Sequence, residues 1–157
     1  MSATKDNPGI HIPPPLVYAA SFFLSIWIQK MIPLSTNLFH TSAATMTGIV
    51  LIMIALFFNI PALYQFAKTR NTIVTIKPAR SLQTKGIYGL TRNPMYLSLL
   101  LVYTGLSFLT GNWWTLLLLP VLFMVINQFI IKPEERYLKR AFGQTYLDYK
   151  KKVRRWL

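Results

Sequence analysis

Cysteine is absent from this 157-residue chain. Its absence excludes disulfides, a thiolate nucleophile, thiolate zinc sets and cysteine-linked lipid anchors on this chain, and it leaves the redox compartment unread. Histidine is scarce: His11 and His40 are the two present, and neither sits in a metal spacing such as HExxH. Both read as loop or interface residues, and no metal is expected. Acidic residues are few as well, four against seventeen Lys and Arg, for a net charge of +13. In a soluble protein such an excess would point first to a nucleic acid. Two long stretches lack charge altogether: no Asp, Glu, Lys or Arg lies between Met31 and Ala67, or from Asn93 through Ile131. Charge gathered in blocks between long apolar runs, in a chain 53% hydrophobic, suits a bilayer, and no nucleic-acid partner is expected.

Four apolar runs, Leu16–Ile32, Ala43–Phe66, Pro94–Thr110 and Trp113–Ile131, approach the roughly 20 residues that cross about 30 Å of hydrocarbon. The first follows the Pro13-Pro14-Pro15 break and carries Lys30 near its end, so it reads as a retained span and not as a signal peptide. Only Gly111 and Asn112 separate the third run from the fourth, which predicts a tight antiparallel hairpin. One helix through both would extend about 57 Å, nearly two hydrocarbon thicknesses. Basic residues set the orientation. Lys68, Arg70, Lys77, Arg80, Lys85 and Arg92 lie between the second and third runs, and nine more follow the fourth. Both segments then face the cytosol, and with four spans both termini do too.

From Pro133 onward Leu138, Phe142, Tyr146, Tyr149, Val153 and Trp156 recur at helical spacing. Opposite them lie Lys139, Arg140, Lys150, Lys151, Lys152, Arg154 and Arg155. The spacing predicts an amphipathic C-terminal helix against lipid headgroups, kinked or divided at Gly143. The predicted fold class is all-α: a polytopic membrane protein with four transmembrane helices, a tight third-fourth hairpin and this amphipathic helix. No linker divides the chain, so 1–157 reads as one domain, with the first two spans and the start of the basic loop in 1–72 and a core in 73–157.

Two polar clusters could carry chemistry at one membrane face. In the first, Lys85 to Tyr96, Asn93 and Pro94 fit an N-cap and first-turn proline. That leaves Gly86, Gly89, Tyr88, Tyr96 and Arg92 without a structural duty. A helix N-terminus suits an anionic group, glycine admits a ligand close to the backbone, and tyrosine offers a face to a base or a sulfonium. The second cluster, Lys132-Pro133-Glu134-Glu135, reads as an ordinary helix start or as a receiver for a cationic group such as an α-ammonium.

Taken as a set, Gly86-x-Tyr88, Arg92-Asn93-Pro94-Met95-Tyr96, Glu134-Glu135, Leu138, Phe142-Gly143, Tyr146 and Tyr149 resemble the C-terminal core of the isoprenylcysteine carboxyl methyltransferase and phospholipid methyltransferase superfamily, over about Ile73 to Leu157. The resemblance implies a membrane-embedded enzyme using S-adenosylmethionine and lacking the soluble Rossmann-type cofactor fold. It implies cofactor contacts at Arg80, Ser81, Leu82, Gln83, Tyr88, Asn93, Pro94, Met95, Tyr96 and Glu134, with Arg92 and Glu135 as candidate catalytic residues. Methyl transfer from a sulfonium needs positioning and a dry pocket more than a strong base. Two departures bear on the acceptor. Asn93 stands where the prenylcysteine enzymes have histidine, and Ile130 stands where they place an arginine for the substrate carboxylate. The expected function is methyl transfer to a lipophilic or lipidated acceptor at the cytosolic face, first of all isoprenylcysteine-type carboxyl O-methylation. N-methylation of a phospholipid or small amine is the alternative within the class. A non-catalytic scaffold or lipid-binding protein is the rival outside it, and a transporter ranks last because no ionisable residue lies at mid-span.

Overall fold

The computed structural model describes residues 9, 10, 12–69 and 81–157; Lys5, His11, Arg70, Lys77 and Arg80 lie outside the described residues. Among the described residues the fold has five α-helices: α1 Pro14–Met31, α2 Ser42–Lys68, α3 Pro94–Thr110, α4 Trp113–Ile126 and α5 Lys132–Lys152. No strand occurs among the described residues. Helices are what long apolar segments must form in lipid, because every backbone N–H and C=O has to be satisfied within the segment.

Local chemistry sets the ends. Pro14 occupies the first turn of α1, where its missing N–H costs nothing. Thr41 caps α2, its hydroxyl accepting from the Ala44 N–H at 3.1 Å. At the expected hairpin Gly111 takes φ 65° and closes α3. The Asn112 side chain then accepts from the Trp114 N–H at 3.0 Å and opens α4. Two residues therefore suffice to reverse the chain.

Among the described residues two helices are long and apolar enough to cross a bilayer, Ser42–Lys68 and a continuous one over Trp113–Lys152. The third run forms a shorter apolar helix of 17 residues. Length and composition thus support two of the four expected spans. The reading of Pro133 as a fresh helix start is corrected. A π-helical turn, Asn127–Ile131, carries α4 into α5, and Ile131 keeps helical backbone angles of φ −66° and ψ −47°. Proline lacks an N–H, and its ring collides with the carbonyl four residues back in a regular helix. The widened turn relieves this, the Lys132 N–H donating to the Asn127 carbonyl.

In lipid, helices associate through close packing and hydrogen bonds. On the α2–α3 seam a Cβ added at Gly105 would lie 2.9 Å from the Gly48 carbonyl oxygen, and one at Gly48 would lie 2.9 Å from that of Gly105. The two backbones meet there. Farther along the seam Asn59 Nδ2 donates to Ser98 Oγ at 2.9 Å. Helix α1 packs along α4 and reaches α3, with Ser25 and Thr115 hydroxyls 2.8 Å apart and the Tyr18 hydroxyl donating to the Tyr96 carbonyl at 3.2 Å. A core of Tyr18, Tyr96, Tyr103, Leu122, Ile126, Ile130 and Ile131 fills the junction.

Gly143 divides α5 as expected, with φ 52° and ψ −127°. The chain beyond it returns toward the bundle, and here the expected interfacial stripe is corrected. Tyr146 and Tyr149 are buried, and Trp156 lies 5.2 Å from the Phe123 ring of α4. Beyond the break the stripe turns inward, and Tyr146, Tyr149 and Trp156 meet protein.

Candidate active site

The chain leading into α3 is held from both sides. A 3₁₀ turn, Gly86–Gly89, precedes it, with Gly86 at φ 61°, a left-handed conformation that glycine adopts without strain. Tyr88 is buried, its ring stacked on Phe66 at 5.8 Å. Its carbonyl accepts from the Tyr149 hydroxyl at 2.6 Å. Ser81, Leu82 and Gln83 lie partly buried near the end of α2, where Gln83 Nε2 donates to Ser81 Oγ at 2.9 Å and Thr69 Oγ1 at 3.2 Å.

Asn93 occupies the cap position of α3 but makes no side-chain cap. Its Nδ2 donates to the Arg155 carbonyl at 2.9 Å. The capping expectation is corrected for that reason: the amide is drawn to the returning C-terminal segment. Pro94 follows in the first turn, so the helix begins with no side-chain acceptor over its N–H groups, and Met95 packs partly buried beside Tyr88. Such an end carries a partial positive charge.

The hairpin brings the two clusters together. The Tyr96 hydroxyl donates to Glu134 Oε2 at 2.7 Å. Arg92 Nη1 stands 3.1 Å from Glu135 Oε1 and donates to the Tyr146 hydroxyl at 3.1 Å. Glu135 is gripped from the other side by Arg155, whose Nε and Nη2 donate to its two carboxylate oxygens at 2.9 and 2.7 Å. The same guanidinium donates from Nη1 to Asn127 Oδ1 in the π-helical turn at 3.1 Å.

The neighbouring carboxyls meet opposite surroundings. Burial alone would raise Glu135, but its hydrogen bond from Arg155 and the charges of Arg92, Arg155 and Lys150 outweigh that and hold it below the usual carboxylate range. Glu134 is raised to about 7, first by burial and further by Glu135, against the lowering hydrogen bond from Tyr96. It retains some exposed surface, so this carboxyl is hemmed in by protein without being sealed. Among the described residues no cation pairs with it. Burial followed by the Glu134 charge also raises Tyr88, and burial pushes Tyr146 up to about 12.

Of the expected site residues, Tyr88, Arg92, Asn93, Tyr96, Glu134 and Glu135 gather at the start of α3, with Pro94 and Met95 in its first turn; Gln83 and Ser81 meet at the end of α2, and Arg80 lies outside the described residues. Sequence reasoning missed Arg155, Asn127 and Thr91. Thr91 is fully buried, its hydroxyl donating to the Arg155 carbonyl at 3.0 Å. Nothing local distinguishes Arg155 from the lysines and arginine before it, because its position depends on the break at Gly143.

Residues 43–145 match the phospholipid methyltransferase family. Over 94 residues, 59% of the chain, the sequence is 33% identical to a protein-S-isoprenylcysteine O-methyltransferase of Schizosaccharomyces pombe, of whose length it covers 40%. Over 63 residues, 40% of the chain, it is 49% identical to an uncharacterised Haemophilus influenzae protein covered in full. No solved structure matches it. With the match extending from the start of α2 past the Glu134-Glu135 pair to the break in α5, the chain belongs to the phospholipid methyltransferase family.

Proposed function

We propose that the protein is a four-span membrane methyltransferase that binds S-adenosylmethionine at its cytosolic face and methylates a lipophilic acceptor reaching it from the bilayer. The observation that carries this reading is Glu134. In a chain of net charge +13, this carboxyl has no cationic partner among the described residues, and it lies beside an uncapped helix start. One pole suits an α-ammonium and the other a carboxylate, the two charges of the methionine part of the cofactor. Glu134 would take the first, the start of α3 at Met95 and Tyr96 the second, while Tyr88, Asn93 and Pro94, with Ser81, Leu82 and Gln83, line the approach.

When bound, the cofactor supplies a methyl group on a positively charged sulfur, and transfer to a nucleophile leaves a neutral thioether. The chain's own task is to align, to exclude water and to keep its own nucleophiles engaged. Tyr96 is committed to Glu134 and Glu135 to two guanidiniums, so both are occupied. The acceptor we favour is an isoprenylcysteine-type carboxylate, which needs no proton removed before attack. A second reading, N-methylation of an amine-headed phospholipid, draws support from Ile130. That side chain is buried in the core at 3% exposure and cannot pair with an acceptor carboxylate.

Calorimetric titration of the detergent-purified protein with S-adenosylhomocysteine tests the reading. One saturable site is expected. Folded protein that takes up none would leave the two clusters as helix starts and favour a scaffold.

A further inference from the structure

The C-terminal segment after α5 makes more polar contacts with the site than any expected site residue does. Arg155 alone contributes five. Its guanidinium makes two parallel hydrogen bonds to Glu135 and a third to Asn127, while its carbonyl accepts from Thr91 Oγ1 and Asn93 Nδ2. One residue earlier, the Arg154 carbonyl accepts from the Arg92 N–H at 3.0 Å. The side chain of Arg155 retains 28% exposure, against 8% for Arg92 and 12% for Glu135. It is the most exposed of the three.

We infer that Arg155 is a positioning residue of the methyltransferase site, its guanidinium anchoring the chain end so that its carbonyl fixes Thr91 and Asn93 at the start of α3. The inference rests on the reading given under Proposed function. Its physical basis is a division of labour. Glu135 lies between two guanidiniums, which keeps it ionised and engaged, so Glu134 is left as the carboxylate open to a ligand cation. The carbonyl of Arg155 also holds the Asn93 amide away from the α3 terminus, leaving that end without a side-chain cap. A lysine in this place would keep the charge but not the planar fork that reaches both oxygens of Glu135 and Asn127 at once. Arg155 touches no reacting atom in this scheme. It acts through Glu135, Thr91 and Asn93.

The test is S-adenosylhomocysteine affinity by calorimetry, with thermal midpoint measured alongside, on the full chain in detergent. The set is wild type, R155Q, R155K and the charge-matched surface control Lys151→Gln. R155Q is expected to bind at least about tenfold more weakly, the loss of roughly one to two charge-assisted hydrogen bonds. R155K should recover part of that affinity, and Lys151→Gln should match wild type. Affinity that follows the guanidinium contacts, whatever the midpoints do, supports positioning. Unchanged affinity in R155Q and R155K, even with lowered midpoints, overturns it and leaves Arg155 as a structural strap. If R155Q does not fold, R155K decides alone, and unchanged affinity there overturns the inference. Failure of wild type to bind overturns the functional reading together with this one, whereas wild-type binding with indifferent variants overturns only the role of Arg155.

Discussion

Glu134 and Glu135 are adjacent in sequence, and their carboxyls are separated by what they face. Glu135 meets Arg92 and Arg155, while Glu134 meets one phenol, that of Tyr96. A carboxyl held at about 7 is mostly protonated below that pH and ionised above it. Its folded value lies above the unfolded one, so its contribution to stability is fully present below the unfolded value and is lost as pH rises through about 7. A cationic ligand reverses the balance, because only the ionised form attracts it. S-adenosylhomocysteine affinity should therefore rise with pH across neutrality, by on the order of tenfold between about pH 6 and pH 8. The Glu134→Gln protein should bind at least about tenfold more weakly, with that slope flattened. A calorimetric series over the same range decides the matter. Full affinity in the glutamine variant would remove Glu134 from the site.

Helix α5 depends on a single backbone conformation. Gly143 sits at φ 52° and ψ −127°, and a Cβ built there meets nothing within 4 Å. A side chain at this position is therefore opposed by the backbone alone, at about 1–3 kcal/mol. That outweighs the gain of up to about 1 kcal/mol that alanine brings by stiffening the unfolded chain. Gly143→Ala should lower the thermal midpoint. It should also weaken S-adenosylhomocysteine binding, because straightening the helix carries Tyr146, Tyr149 and Arg155 away from Arg92, Tyr88 and Asn93. A straight, stable variant that binds as wild type would show the returning segment to be dispensable. Elements of this kind were partly legible. The residue pattern located the limits of α3, the Gly111-Asn112 turn and the break at Gly143, because each is fixed by local backbone chemistry. The passage through Pro133 was not legible, since a π-helical turn and a helix start share the same first-turn proline. Nor was the engagement of Asn93, whose cap was lost to a carbonyl 62 residues away in sequence. Residues close in space but distant in sequence leave no local pattern.

At the scale of the molecule, length alone and charge distribution speak with different strength. Length and apolarity mark Ser42–Lys68 and Trp113–Lys152, whereas α1 and α3 are short for the task. Charge supplies what length does not. The connections after α1 and α3 carry no Lys or Arg, while the cationic residues gather before α3 and after the π-helical turn. Moving such blocks through hydrocarbon is costly, so the four-span arrangement proposed above would keep them together on the cytosolic side. Trp113 and Trp114, whose indole N–H groups donate to the Ser35 and Ile32 carbonyls at 2.9 and 2.8 Å, gather at the opposite end in the manner of an interfacial aromatic belt. Because the chain has no cysteine, single cysteines report topology without background. Cysteine placed at Asn37 should react with a membrane-impermeant maleimide from outside intact cells, and cysteine placed at Lys151 should react only after the membrane is opened. The two-span alternative leaves α1 and α3 out of the bilayer, so that Asn37 and Lys151 fall on the same side of the membrane. Labelling of Asn37 and Lys151 on the same side of the membrane would thus exclude four crossings, and with them an acceptor path that enters from the lipid between four helices.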